Sequence, residues 1–252
     1  MLAATAVTDL GNGPGIVLLH GVGAGPGTYE SLARHLSSEH RVVVAERPWS
    51  PSGSTSLDDQ ATSVAELIKD LDLIGCTVVG VSGGATLALV IAMRFPELVG
   101  AIVAHEPLVG HHAIDLYKTM TGAAQLATRD NHSAIEAVRS VMSEKTWLRT
   151  TDKVRSDITA GATRWRAEIP VFVAFDPSFD DLASLRQVPL LVTVGSLSNQ
   201  ERWDAAAVLT THSQAEVRVV PDSGNAVQLD AAKTFAGIVL GWNPNESRTT
   251  LL

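Results

Sequence analysis

The chain has 252 residues, 45% of them hydrophobic and 18% charged, with 19 Lys+Arg against 27 Asp+Glu for a net charge of −8. That length and apolar content support one large buried core without covalent staples, and a single cysteine, Cys76, excludes an intrachain disulfide and points to a reducing compartment. The acidic balance offers no electrostatic footprint for nucleic acid or anionic lipid, and neither a basic leader nor a run of about eighteen apolar residues occurs, so a cytoplasmic protein with no membrane partner is expected.

In chain order, strand-length apolar runs alternate with segments of helical period, the pattern of a mostly parallel sheet covered on both faces. The runs are Ile16–Leu19, Val42–Ala45, Thr77–Val81, Ala101–Ala104, Leu190–Val194 and Val217–Val220. Helices are predicted at Thr28–Leu36, Leu57–Leu73, Ala85–Phe95, Glu201–Leu209 and Asp230–Leu240, with Asp58, Pro96 and Asp230 as start and stop signals. The region before Ile16 is short, which suggests that an edge strand is left out there and leaves the first strands of the sheet open. Between Leu108 and Leu185 no buried strand is legible, while Ala113–Ala127, Ser133–Met142 and Asp152–Ala167 read as helices. The expected organisation is an α/β core of residues 1–107 and 186–252 interrupted by a helical cap of residues 108–185. The most apolar stretch of that cap, Ile169 to Phe175, is expected to face either the sheet or a pocket.

Gly80-Val81-Ser82-Gly83-Gly84 follows one predicted strand and opens one predicted helix. A serine raised on a sharp strand-to-helix turn needs glycines around it, so Ser82 is the candidate nucleophile of a GxSxG elbow. His20-Gly21-Val22-Gly23-Ala24-Gly25 follows another strand; its glycine-rich backbone is suited to holding an oxyanion through the amides of Val22 or Gly21 together with Gly83. A phosphate cradle fits less well, because no GKS or GKT follows and the glycines miss the GxGxxG register. His20 itself reads as a structural hydrogen-bonder. Glu106, in His105-Glu106-Pro107, closes a third strand at the carboxyl edge of the sheet, where an acid that orients a base belongs.

With these pieces the chain resembles the α/β-hydrolase superfamily over residues 10 to 242. The resemblance implies a helical cap between the sixth and seventh core strands and hydrolysis of an ester or lactone without a cofactor. The usual acid of that family, in a GxxD pattern after the strand Leu190–Val194, is absent from Gly195-Ser196-Leu197-Ser198. Glu106 matches the position that a subset of the family uses instead. Within that subset the chain is similar to the zearalenone lactonases, which open an aromatic macrolactone with a Ser-Glu-His triad. The likeness rests on the elbow, on Glu106 standing 24 residues after Ser82, on Pro170-Val171-Phe172, and on Val192-Thr193-Val194-Gly195 followed by Ser198. It implies a small apolar or aromatic ester or lactone as substrate, with Phe172 facing it.

The same resemblance places the catalytic histidine in a loop that reads Pro221-Asp222-Ser223-Gly224-Asn225, ten residues before Phe235. Asn225 occupies the position of the base. An amide accepts and donates hydrogen bonds but does not take a proton near neutral pH. Three readings follow: a His-to-Asn variant of a hydrolase; a natural non-hydrolytic member, either a small-molecule binding protein or a lyase that uses Ser82 only as a donor; or an enzyme that recruits His105 or His111 as base. Of the five tryptophans, Trp49 is the best placed to line a pocket. His111-His112 lacks a third ligand at metal-site spacing and is expected on the cap surface, so no metal is anticipated. His212 is expected at the end of its strand away from the site, and Cys76 as an inert core thiol.

Overall fold

The computed structural model describes residues 3–50, 55–127, 129–140 and 144–244. Seven strands form one sheet in the order β1-β3-β2-β4-β5-β6-β7, with β1 (Thr5–Leu10), β2 (Gly15–Leu19), β3 (Arg41–Glu46), β4 (Cys76–Val81), β5 (Val99–His105), β6 (Leu190–Gly195) and β7 (Glu216–Val220). Strands β2 to β7 run parallel, and β1 joins β3 antiparallel at one edge.

Strand β1 answers what the short region before Ile16 left open: one edge strand does precede Ile16. It escaped notice because an edge strand needs no apolar run: Thr5-Ala6-Val7-Thr8-Asp9-Leu10 is exposed along almost its whole length. The helical insertion accordingly lies between β5 and β6, the fifth and sixth strands in chain order. The expected sixth and seventh followed a count with one more strand ahead of it.

The central strands alternate their buried side chains between two cores. Val17, Leu19, Val78, Ile102 and Ala104 face α2 (Leu57–Asp70) and α3 (Gly83–Arg94), whereas Ile16, Leu18, Val79, Val81 and Val103 face α1 (Glu30–Leu36) and α12 (Ala232–Leu240). Helix α2 starts one residue before Asp58: Ser56 is the cap, accepting from the Asp59 amide at 3.1 Å while the Asp59 carboxylate reaches back to Ser56. Helix α3 is apolar on all sides, and ten of its twelve residues are buried between β4, β5 and α2.

The insertion carries α4 (Ile114–Ala127), α5 (Asn131–Ser140), α6 (Glu144–Arg149), α7 (Asp152–Ala160) and α8 (Ala162–Val173). The helix predicted from Ser133 begins at Asn131 and ends by Ser140, and Met142 lies outside the described residues. The one predicted from Asp152 to Ala167 is two helices separated at Gly161, the second continuing through Pro170 to Val173. Ile169 to Phe175 is thus mostly the C-terminal half of α8, with Ile169 and Phe172 fully buried. A short α9 (Phe179–Ser184) leads back to β6, and α10 (Gln200–Ser213) and α11 (Val227–Asp230) complete the fold. Asp230 ends α11 instead of opening the last helix, which starts at Ala232. Among the described residues no helix is long and apolar enough to cross a membrane.

Candidate active site

Ser82 sits where β4 ends and α3 begins, with φ 54° and ψ −119°. The backbone tolerates this left-handed conformation because the turn is fixed on both sides: the Ser82 amide donates to the His105 carbonyl at 2.8 Å, and the Ser82 carbonyl accepts from Thr86 at 3.0 Å. A Cβ at Gly80 would collide with the Gly84 carbonyl, and one at Gly84 with the Leu19 carbonyl. Both glycines are therefore required by close approach of the helix to two strands.

Ser82 lines a small cavity of about 70 Å³ together with Gly21, Val22, Gly83 and Asn225. Its other walls are largely apolar, from Leu108, Met120, Trp165, Ile169 and Leu229. Gly83 opens α3, so its amide belongs to the first-turn N–H groups that have no acceptor inside the helix. Of the described residues around this cavity none is a histidine, a carboxylate or a lysine, and Arg202 is the charged one.

Glu106, at φ 51° just beyond β5, lies behind Asn225 and is buried. Its Oε2 accepts from Asn225 Nδ2 at 2.9 Å. Its Oε1 accepts from the Gly195 amide at 3.0 Å and from the Ser198 hydroxyl. The Arg202 guanidinium, from α10, stands 3.6 Å from Oε2 and donates to the Glu106 backbone carbonyl at 3.3 Å. Burial opposes ionisation of this carboxyl. The Arg202 charge and the Ser198 and Asn225 donors outweigh it and hold the pKa below the ordinary glutamate value. The carboxylate is therefore ionised at neutral pH and fixes the Asn225 amide with its nitrogen toward Glu106.

The two alternative bases are elsewhere. His105 is fully buried, Nδ1 against the Thr193 hydroxyl at 3.0 Å and Nε2 against the Gly224 carbonyl at 3.1 Å. Burial lowers its pKa and keeps it neutral. His111 pairs with Asp176 at 2.9 Å on the exposed side of the insertion, and His112 reaches the Pro177 carbonyl at 2.6 Å. Neither His105 nor His111 lines the Ser82 cavity. His212 stacks on Phe179 in α9, and Cys76 is buried with its thiol pushed up to about 12, so it is unreactive.

Two expected pocket residues are displaced. Phe172 does not line the Ser82 cavity: its ring is fully buried beside Gly83, with the Arg47 guanidinium 5.2 Å from its centroid. Trp49 borders a second, more open cavity of about 300 Å³ between Gly23–Thr28 and Ala160–Arg164. The aromatic that faces Ser82 is Trp165, one α8 turn before Ile169 on the same wall. Arg202 and Trp165 were missed because nothing in their local spacing distinguishes them from ordinary helix residues.

A sequence profile described as "Alpha/beta hydrolase family" matches residues 16–238. The 2-(acetamidomethylene)succinate hydrolase of Mesorhizobium japonicum is 25% identical over 169 residues, 64% of this chain and 56% of that protein. An uncharacterised Mycobacterium tuberculosis protein is 29% identical over 98 residues, 37% of this chain and 29% of that one. The chain thus spans less than two thirds of the length of these relatives. Among solved structures, an esterase of Thermogutta terrifontis superposes with TM-score 0.79 at 20% identity, covering 98% of this chain and 94% of that one. Est816, described as an N-acyl homoserine lactone degrading enzyme, gives TM-score 0.78 at 18% identity, covering 95% and 96%.

Proposed function

This chain belongs to the alpha/beta hydrolase family, and from that premise we propose that it is an ester or lactone hydrolase site whose general base has been replaced by an amide. Ser82 is the nucleophile in this reading, the amides of Val22 or Gly21 and of Gly83 receive the oxyanion, and Glu106 orients position 225. The observation that carries it is the 2.9 Å bond from Asn225 Nδ2 to Glu106 Oε2 beside Ser82. Nucleophile, loop and Asn225 line one cavity, and the acid is bonded to Asn225 behind it, so that a residue of nearly histidine shape links the acid to the cavity.

Attack on an acyl carbon requires the Ser82 proton to leave as the Oγ–C bond forms. Asn225 has no basic nitrogen to receive it, so the tetrahedral intermediate is reached only at the low rate that the oxyanion donors and substrate positioning supply. The apolar walls favour an apolar ester or lactone, an aromatic macrolactone such as zearalenone among them, with the 108–185 insertion acting as cap over the 1–107 and 186–252 core. Esterase and lactonase structural neighbours support that substrate class. The same amide favours a second reading, a binding protein that retains its ligand without turnover.

The test is hydrolysis of zearalenone and of a p-nitrophenyl ester by the chain, by Asn225→His and by Asn225→His/Ser82→Ala. Histidine is expected to raise turnover on the order of 10³-fold or more, and the added Ser82→Ala to remove that gain. Tight binding with no turnover in any of the three would overturn the hydrolase reading in favour of the second.

A further inference from the structure

Beneath the Gly21–Gly23 loop lies a cluster that the acyl-transfer chemistry leaves unused. Arg47, immediately after β3, is fully buried, and Glu168 on α8 is buried beside it. Arg47 donates from Nε to the His20 carbonyl at 2.9 Å, from Nη2 to the Gly21 carbonyl at 3.1 Å, and from Nη1 to Gln60 Oε1 at 2.6 Å. Glu168 Oε2 accepts from Arg47 Nη2 and from the Gly23 amide, both at 3.1 Å. Its Oε1 accepts from Arg164 Nε at 3.0 Å. Arg164 in turn donates to the Arg47 carbonyl at 3.1 Å and pairs with Glu46. Two guanidinium groups thus face two carboxylates. His20, which touches Glu46 at 3.3 Å, stays neutral in this setting because burial lowers its pKa to about 4.

A charge-balanced cluster in the interior is weak evidence for stability, since an apolar packing of the same volume often serves as well. What this cluster does is specific: it binds the loop at His20, Gly21 and Gly23 and leaves Val22, the residue between them, on the Ser82 cavity. Gly23, at φ 68°, has no room for a Cβ under the Trp165 ring. Helix α8 therefore contributes both a cavity wall, through Trp165 and Ile169, and the carboxylate that holds the loop.

We propose that Arg47 and Glu168 are positioning residues for the oxyanion loop, presenting the Val22 amide to the substrate oxygen only while α8 is seated against the core. Access to Ser82 and assembly of the oxyanion donors are then a single event, because displacing α8 removes the acceptor of the Gly23 amide. The proposal rests on the reading of Ser82 as nucleophile, and its test separates the two.

Hydrogen–deuterium exchange of the full chain is compared with Glu168→Gln, and with Arg47→Lys, which keeps the charge but loses the forked donor. Exchange at residues 20–24 is expected to accelerate at least tenfold in both variants while β4 is unchanged. In parallel, phenylboronic acid is titrated as a probe whose tetrahedral adduct on Ser82 places an oxygen at the oxyanion donors. Its affinity is expected to fall at least tenfold in both variants. Unchanged exchange at residues 20–24, or accelerated exchange with unchanged boronate affinity, would overturn the proposal. If Ser82→Ala leaves the boronate affinity of the native chain intact, the nucleophile reading fails, and exchange alone decides whether the cluster holds the loop.

Discussion

Two buried glutamates stand behind the walls of the Ser82 cavity, and they are held in opposite ways. Glu106 takes its donors from the core: the Gly195 amide, Ser198, Asn225 and a distant Arg202, all at the carboxyl edge of the sheet. Glu168 takes its donors from three separate elements, the Gly23 loop, Arg47 after β3 and Arg164 on its own helix. One carboxylate aims a single side chain, and the other pins a backbone. Neighbouring cations keep both ionised despite burial, but only Glu168 ties the insertion to the core.

The sharpest way to break that contrast is to remove each carboxylate. Glu168→Ala leaves Arg47 enclosed without its carboxylate and is expected to cost about 3 to 5 kcal/mol, read as a lower urea midpoint. A value equal to that of Glu106→Ala would erase the distinction. Acid comes next. His20 is protonated in the unfolded chain below its ordinary value of 6.5 but in the folded chain only near 4. Its contribution is complete above pH 6.5 and is lost as pH falls toward 4, about 3 kcal/mol in all. The buried His105, also lowered, and the two ionised glutamates add losses of the same sign. Urea midpoints between pH 7 and 4 check this, and a flat profile would contradict the neutral state of His20. Smallest is Glu106→Ala, expected to cost about 2 kcal/mol because Arg202 stands 3.6 Å away and faces a cavity, while abolishing any gain from histidine at 225.

Much of this architecture was legible because buried parallel strands announce themselves as continuous apolar runs, and an elbow serine as a glycine pattern between strand and helix. Ser82, the Gly21–Val22 loop and Asn225 do meet at one cavity, with Glu106 bonded behind Asn225. Strand β1 was not legible, since an edge strand exposed along almost its whole length carries no apolar run. The Arg47–Glu168 pair spans 121 positions, and no local spacing marks an ion pair formed across such a distance. Phe172 was read as facing a ligand from the apolarity of its stretch and from the family resemblance. Apolarity does not tell a pocket wall from the packing beneath a loop, and it is Trp165, about two turns earlier on α8, that lines the Ser82 cavity.

The two ends of the sheet bear on behaviour at high concentration. At one end, β1 skips a partner between Ala6 and Thr8, leaving Val7 as the extra residue, and Asp9 crosses to Arg41 at 2.8 Å. At the other, Glu216 on β7 accepts from Arg218 at 2.6 Å and from the Trp242 indole at 3.0 Å. A stray strand arriving at either border meets an irregular ladder or charged side chains already engaged with their own chain. With a net charge of −8 added to that, edge-to-edge pairing of molecules into fibrils is disfavoured, and the exposed borders remain borders.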